Sequence, residues 1–547
     1  MTLGSAPIGA APLGAAPLTP LKIKTLTLCD FRAFAGPEPV TFNLDSKNLL
    51  VYGENGAGKS SIFHALDQFF SVADRGANER KQRLLGLKNI FSRKPDADVR
   101  VAVEFDDGSP SATWSTAGHP VDPLTATADT RVVNAAYRKA ILDYRSLLET
   151  NYRHGNGAVN LFDVCITVLL RDFPVQHNGT ERRVFDLWTE LLLLLDLEAR
   201  NRTRLTAPEK AQVLALLPSI NSGLRDALAL VLPRIRPMLV QLGWSDLEVI
   251  SFNMPGITYH DKATIPPLQR IETKEIGITL NFRGEGVERP QSFLNEARLS
   301  ALALAIYFAG RQVCAATLQA NTPRLIVLDD VLIGLDQSNR MPVLRVLDQH
   351  FDSWQIVLLT HDRVWYEMAR FHLADRVDWA SVEMFEEKQS DGTPMPITGV
   401  VKPFVRPRAI DAIVDNIATA RRFQGMSEYA AAAVHARVAF ELSLKKVCER
   451  KSIPVRFKND PRELSTEDLL GAIESWLSDT RRTAIKAAVD PAISRVRLAR
   501  KVVLNQFSHS TPVSLADAEV RDAIDAVDAL QKAFIDHIPT RDAVAAT

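Results

Sequence analysis

An α/β fold with a helical insertion and a C-terminal α-helical bundle is predicted by three observations along these 547 residues. A glycine-rich octapeptide near the N-terminus stands between an apolar strand and a helical run. A second block, about residues 290–388, alternates helices with apolar strands, the first of which ends in paired aspartates. From about residue 408 onward the pattern is helical and amphipathic.

Composition narrows the classes. Hydrophobic residues make up 46% and charged residues 24%, an ordinary globular balance. The length suggests roughly three domains. Lys and Arg (65) balance Asp and Glu (65), so no global basic field argues for nucleic acid, and such binding would need a local patch. Cys29, Cys165, Cys314 and Cys448 are far apart and form no metal-binding spacing, which fits reduced thiols in a cytoplasmic protein. The longest apolar run, 301–309, is closed by Gly310 and Arg311, well short of a membrane span.

The elements follow in order. Residues 1–20 are an imperfect Ala/Pro/Gly repeat without a basic start or an unbroken apolar stretch, and read as a disordered tail. Residues 21–133 form an N-terminal lobe: 21–28 alternates at period two, 40–44 follows, and the apolar run 48–52 leads into the octapeptide. A basic stretch, 75–94, precedes a strand at 99–105 and a Ser/Thr/Pro/Gly-rich loop. Residues 134–245 read as a helical insertion, with helices expected at 182–200, 208–217 and 220–242 and no heptad array long enough for a coiled-coil arm. Residues 246–389 form a C-terminal lobe, 390–407 a turn-rich linker, and 408–547 the helical bundle.

The octapeptide Gly53-Glu54-Asn55-Gly56-Ala57-Gly58-Lys59-Ser60, followed by Ser61, fits the phosphate-binding pattern G-x-x-x-x-G-K-[ST]. Its glycines permit a tight turn whose N–H groups converge on phosphates. Lys59 is placed to reach the β/γ-phosphates of ATP, and the Ser60 hydroxyl to ligate Mg²⁺. Leu325-Ile326-Val327-Leu328-Asp329-Asp330 has the form of a Walker B strand: Asp329 would hold Mg²⁺ and Asp330 would orient the attacking water. Gly334-Leu335-Asp336 follows. The next apolar strand ends in Thr360-His361-Asp362, which places His361 to sense a γ-phosphate.

With these motifs the chain resembles the ABC-type ATPase heads of the SMC/RecF/RecN class over about residues 21–72 and 290–388. Phe31-Arg32-Ala33-Phe34 is similar to that class's first-strand motif, Asp336 to its D-loop, and His361 to its switch histidine. Phe293-Leu294-Asn295-Glu296-Ala297-Arg298-Leu299-Ser300 lies where the signature loop and helix belong. The resemblance implies a homodimer, or a higher oligomer, closed around ATP, with Asn295 and Ser300 acting across the seam.

Two departures bear on rate. The class has Ser-Gly-Gly where Asn295-Glu296-Ala297 stands, so the backbone approaches phosphate less closely and Glu296 must turn away, toward Arg298. The class has Glu where Asp330 stands, one methylene shorter. Slow turnover is expected. Leu142-Asp143-Tyr144-Arg145-Ser146-Leu147 is a candidate Q-loop.

The phrasing of residues 294–300, 328–336 and 359–363 resembles the PtuA-type ATPase subunit of Septu and retron-linked anti-phage systems. That resemblance implies a separate HNH-type effector nuclease as partner. A RecF/RecN-like DNA-binding ATPase of DNA repair or recombination is the alternative, and a scaffold with a structural nucleotide a third reading.

The helices around 427–442 and 520–538 resemble HEPN bundles. Arg500 is too far from His509 for the nuclease pattern of that group, so a dimerisation or docking module is expected, with Arg437 and Glu441 paired at i,i+4. Arg75, Arg80, Lys81, Arg83, Lys88, Arg93 and Lys94 are the densest basic region and the candidate DNA contact, without interleaved aromatics beyond Phe91.

Overall fold

The structure is a computed structural model of the chain. It describes residues 20–34, 39–71, 76–92, 95–118, 129–136, 140–143, 160–197, 202, 204–260, 270–287, 290–316, 322–332, 334–335, 337–386, 403–455, 464–504 and 516–538. The N-terminal repeat, most of the 390–407 linker, Asp336 and residues 505–515 lie outside them. The chain divides into two units, 1–369 with 377–406, and 370–376 with 407–547.

Of the five sheets among the described residues of the first unit, the two largest are a four-stranded antiparallel sheet and a six-stranded one. In the antiparallel sheet, Ile23–Cys29 pairs with Val40–Asn43 on one side and Arg100–Phe105 on the other, and Ala112–Ser115 completes the edge. The second sheet runs in the order Pro403–Arg408, Trp379–Glu386, Asn48–Gly53, Gln355–Thr360, Leu325–Asp329, Ala140–Asp143. Its ladders from Trp379–Glu386 to Ala140–Asp143 are parallel. Every residue of Asn48–Gly53, Leu325–Asp329 and Gln355–Thr360 is buried, which is why these strands read as continuous apolar runs rather than alternating ones. Helix Lys59–Ser71 shares one core with both sheets: Phe69 and Phe70 join Phe31, Phe34, Phe105 and Trp114 on one side and Val51, Val327 and Val357 on the other. This is the α/β arrangement, with a glycine-rich loop between a buried parallel strand and a helix, expected from the motifs.

Gln355 joins the two sheets. Its amide, fully buried, donates to Ile23 O (2.8 Å) and Lys47 O (2.8 Å) and accepts from Ile23 N (2.6 Å). Gln355→Leu strands all three backbone groups out of water and is expected to destabilise the first unit by about 3 kcal/mol. A urea titration followed by tryptophan fluorescence should show a lower midpoint with an unchanged slope.

The region expected to be helical from 134 to 245 is mixed. Ala140–Asp143 belongs to the parallel sheet, and Pro174–His177 pairs with Thr180–Arg183 in a hairpin. The two helices expected at 208–217 and 220–242 are one, Ala207–Gln241, which runs through Pro218, Pro233 and Pro237. Thr206 and Glu209 close a capping box at its start, and burial of Leu216, Leu217, Ile220 and Leu224 around Pro218 offsets the backbone bond that proline removes. By length and composition this helix is long enough to cross a membrane, but its buried side packs on helix Glu296–Ala315 as a core helix does.

The second unit contains helices Ala412–Gly425, Tyr429–Arg450, Thr466–Leu477, Thr483–Ala499 and Asp517–His537 around a core of Ala436, Phe440, Leu444, Ile473, Val527 and Leu530. Buried Asp415 is held by Arg408 at 2.7 Å and Arg370 at 3.4 Å. The pairing expected between Arg437 and Glu441 is not the one formed: Glu441 takes Lys445 at 2.6 Å, and Arg437 reaches the Leu504 carbonyl at 3.5 Å. The lysine wins because it lies on the exposed side with the carboxylate, one turn further along.

Candidate active site

The loop between strand Asn48–Gly53 and helix Lys59–Ser71 takes its shape from its glycines. Gly56 (φ 90°) and Gly58 (φ 96°) occupy the left-handed region. Gly53 is needed for space instead: a β-carbon there would sit 3.0 Å from Met384 O and 3.2 Å from Lys59 Cγ. The loop and the helix N-terminus face a cavity of about 570 Å³, within the range of small-molecule sites. Helix N–H groups without intrahelical partners thus point at the place where an anion would bind.

Lys59 is 5% exposed and donates to Gly53 O (2.6 Å) and Glu54 O (3.1 Å), so its ammonium is braced across the loop. Burial pushes its pKa down, and Asp330 and Asp329 oppose that push. A triphosphate would supply the further negative charge that this buried cation favours. Ser60 Oγ donates to Asp329 Oδ2 at 2.9 Å. A hydroxyl and a carboxylate side by side are hard oxygen donors, and this pair fits Mg²⁺.

Asp330 lies just past the strand end with φ 54°, a strained backbone that aims its side chain back across the neighbouring strand. Its N–H donates to Leu359 O at 3.0 Å. Its Oδ1 accepts from both His361 N and His361 Nδ1 at 2.9 Å. A carboxylate can only accept, so Nδ1 carries the proton and Nε2 is the ring's remaining polar atom. Lys59, Ser60, Asp329, Asp330 and His361 therefore come together at one end of the parallel sheet, and Asn55, Gly56, Ala57, Gly58 and Ser61 line the cavity with Lys59, Ser60 and Asp330.

Asn295 and Ser300 stand apart from this cluster. Asn295 is exposed and caps helix Glu296–Ala315, accepting from Arg298 N at 3.0 Å. Ser300 is 1% exposed, packed beneath Gly334 so closely that a β-carbon there would collide with its Oγ. Neither lines the cavity. Arg298 does not serve as the counterion expected for Glu296: it stacks over Trp244 (4.6 Å) and Phe282 (5.0 Å) and lies 4.0 Å from Asp246. Glu296 Oε1 lies 4.0 Å from where a β-carbon on Gly334 would sit, on the side of the loop after the paired aspartates. Of the candidate Q-loop, Leu142 and Asp143 end the strand beside Leu325–Asp329, in register with Leu328 and Asp329, and residues 144–147 lie outside the described residues.

Several cavity residues were not assigned to the nucleotide site from the sequence, although Arg32 stood in the first-strand motif and Phe91 in the basic stretch. Arg32 (φ 48°) lines the cavity with its backbone fixed by Leu87 O (2.8 Å) and its carbonyl bonded by the Asn89 amide. Burial pushes its guanidinium down, as for Lys59. Ile90, 84% exposed, and Phe91 stand at the rim, apolar surface suited to a base. The signal was present as an apolar pair inside a stretch dominated by charge. That stretch is also less basic than its count: Lys88 pairs with Asp96 (2.9 Å) and Arg83 with Glu79 (3.0 Å), while Arg75, Arg93 and Lys94 lie outside the described residues.

Residues 25–142 match the AAA_23 family model, described as an AAA domain. Over 87 residues the chain is 31% identical to structural maintenance of chromosomes protein 3 of Caenorhabditis elegans, a stretch covering 16% of this chain and 7% of that protein. Among solved structures it is similar to the Smc head domain with an extended coiled coil bound to the C-terminal domain of ScpA, from Pyrococcus furiosus, at 14% identity and a TM-score of 0.40, over 73% of this chain and 100% of that one. It is also similar to the recombination mediator protein RecF with ATP, at 13% identity and a TM-score of 0.40, over 67% and 96%.

Proposed function

We propose that this chain, built on a P-loop NTPase head, binds and slowly hydrolyses ATP, pairs with a second copy around it, and uses that cycle to control a separate effector. The observation that carries the reading is the convergence of Lys59, Ser60 and Asp330 on one cavity, with Asp329 bonded to Ser60 and His361 to Asp330 behind its wall.

Each residue then has a task. Backbone N–H groups of the loop and Lys59 hold the phosphates, with Arg32 beside them. Ser60 and Asp329 would hold Mg²⁺, which would supply charge neutralisation to the reacting phosphates. Asp330 Oδ1 is occupied by His361, so Oδ2 is the oxygen that takes a hydrogen bond from the attacking water and orients it in line with the γ-phosphorus. The pair also fixes the His361 ring, whose Nε2 senses the γ-phosphate. The short Asp330 side chain supports slow turnover, suited to a timer rather than a motor. Asn295, exposed at a helix N-terminus, is the residue offered to the partner's nucleotide; Ser300 acts beneath it by packing against Gly334.

The effector reading rests on the phrasing of residues 294–300, 328–336 and 359–363, which supports an HNH-type nuclease partner in anti-phage defence. The test is co-expression with an HNH nuclease encoded beside the gene, followed by purification on a tag on either chain. A complex whose DNA cleavage changes with ATP is the expected result. Hydrolysis by the chain alone that rises several-fold with duplex DNA, with no nuclease retained, would replace it with the repair reading.

A further inference from the structure

We propose that Arg340 is a positioning residue of the hydrolytic site: it ties the loop after the paired aspartates to the turn that carries His361, and so holds the Asp330–His361 pair in place. The inference rests on the ATP-hydrolysing reading above and adds a residue that none of its motifs contains.

Arg340 lies in the first turn of helix Gln337–His350 and is turned inward, with its side chain 16% exposed. Its Nε donates to Leu335 O at 2.9 Å, and its Nη1 to the Asp362 carboxylate. Leu335 closes the turn that begins at Leu332, its N–H bonded to Leu332 O at 3.0 Å, and directly precedes Asp336. Asp362 directly follows His361. Its own position is fixed twice over: Oδ1 accepts from Trp365 N at 3.0 Å, and its N–H donates to Thr360 Oγ1 at 3.1 Å.

The guanidinium therefore spans the two loops that leave the neighbouring strands Leu325–Asp329 and Gln355–Thr360, beyond the last rung of their ladder. One carries Asp330 at its start and the other carries His361. A planar group with donors on two edges is suited to this, because fixing one bond fixes the direction of the other. Burial alone would raise the Asp362 pKa, but the Trp365 amide and Arg340 outweigh it and the carboxylate is held below its ordinary range. The carboxylate thus stays charged wherever the enzyme would work, and the tie is charge-assisted.

The link between Arg340 and the chemistry is indirect. Neither Arg340 nor Asp362 lines the nucleotide cavity, whereas Asp330 does. Loss of the tie should therefore leave ATP binding intact and misplace the pair that orients water. It differs in this from a general packing role, which would lower stability and affinity together.

The test uses the full chain with Arg340→Ala, Arg340→Lys, Asp362→Ala and the Arg340→Ala/Asp362→Ala double variant. The expected result is a fall in kcat of about 10- to 100-fold in both alanine variants, the range seen when support behind a functional group is removed. KM for ATP and the affinity for a fluorescent ATP analogue should move less than about 2-fold, and the double variant should be no slower than the worse single one. Arg340→Lys should recover part of the rate, because its ammonium reaches Asp362 but cannot also hold Leu335.

A second readout needs no hydrolysis. With nitrogen-labelled histidine and the His361 signal assigned by its absence in His361→Gln, the parent should show a single Nδ1-protonated form, and Arg340→Ala a mixture of ring tautomers. Parental kcat with an unchanged His361 signal would overturn the inference. So would losses of kcat, ATP affinity and melting temperature in proportion. If the parent itself does not hydrolyse ATP, the proposed function fails, and the His361 signal alone decides whether Arg340 positions the pair.

Discussion

Lys59→Ala is expected to lower ATP affinity by roughly 10- to 100-fold and hydrolysis by a further factor on the order of 10². The side chain is buried, braced by two carbonyls of its own loop, and destabilised as a cation by that burial. Such an ammonium favours a more negative partner, and on the proposed function the triphosphate is that partner. Truncation removes a charge-assisted contact in a partly dry site, where it is worth more than on the surface. It also leaves Gly53 O and Glu54 O without this donor, so the thermal midpoint should be recorded alongside. Calorimetric titration with Mg-ATP checks the effect. A variant that binds ATP with parental affinity and has a parental thermal midpoint would show that the cavity over residues 53–60 is not the nucleotide site.

Asp330→Asn should separate binding from hydrolysis. The substitution keeps the shape, and the amide oxygen can still accept from His361 N and Nδ1. What it removes is the charge and the basic oxygen that orients water. Hydrolysis is expected to fall by about 10²- to 10⁴-fold. ATP should bind about as well as in the parent, because the loop, Lys59 and the Ser60–Asp329 pair are untouched. Phosphate release at saturating ATP reports the first quantity and a fluorescent ATP analogue the second. Equal loss of both would move Asp330 from the hydrolytic role into the binding site.

The grouping of Lys59, Ser60, Asp329, Asp330 and His361 was legible because its positions are written in backbone terms. Gly56 and Gly58 are required by φ, and the strands ending at Asp329 and Thr360 are buried on both faces, so apolar runs capped by acidic or polar residues stood out. What was not legible depends on neighbours distant in sequence. Ala140–Asp143 is four residues long and is a strand because Leu325–Asp329 offers it an edge. Pro218 reads as a helix break, yet the packed face on either side of it keeps Ala207–Gln241 continuous. Gln355 looks like an ordinary polar residue opening a strand, and its value lies in Ile23 and Lys47, more than 300 positions away. Ser300, Arg298 and Arg340 belong to the same class: helical spacing gives their face, but not whether Gly334, Trp244 or Asp362 meets it.

The central claim is that ATP closes two copies of this chain on each other. The most direct measurement is the light-scattering mass of Asp330→Asn during size-exclusion chromatography, with and without Mg-ATP, beside Lys59→Ala under the same conditions. Slow hydrolysis should trap the first variant at twice its nucleotide-free mass or a higher multiple, while Lys59→Ala keeps one mass throughout. An Asp330→Asn chain that binds ATP and does not change mass, or a Lys59→Ala chain that doubles with it, would contradict the account.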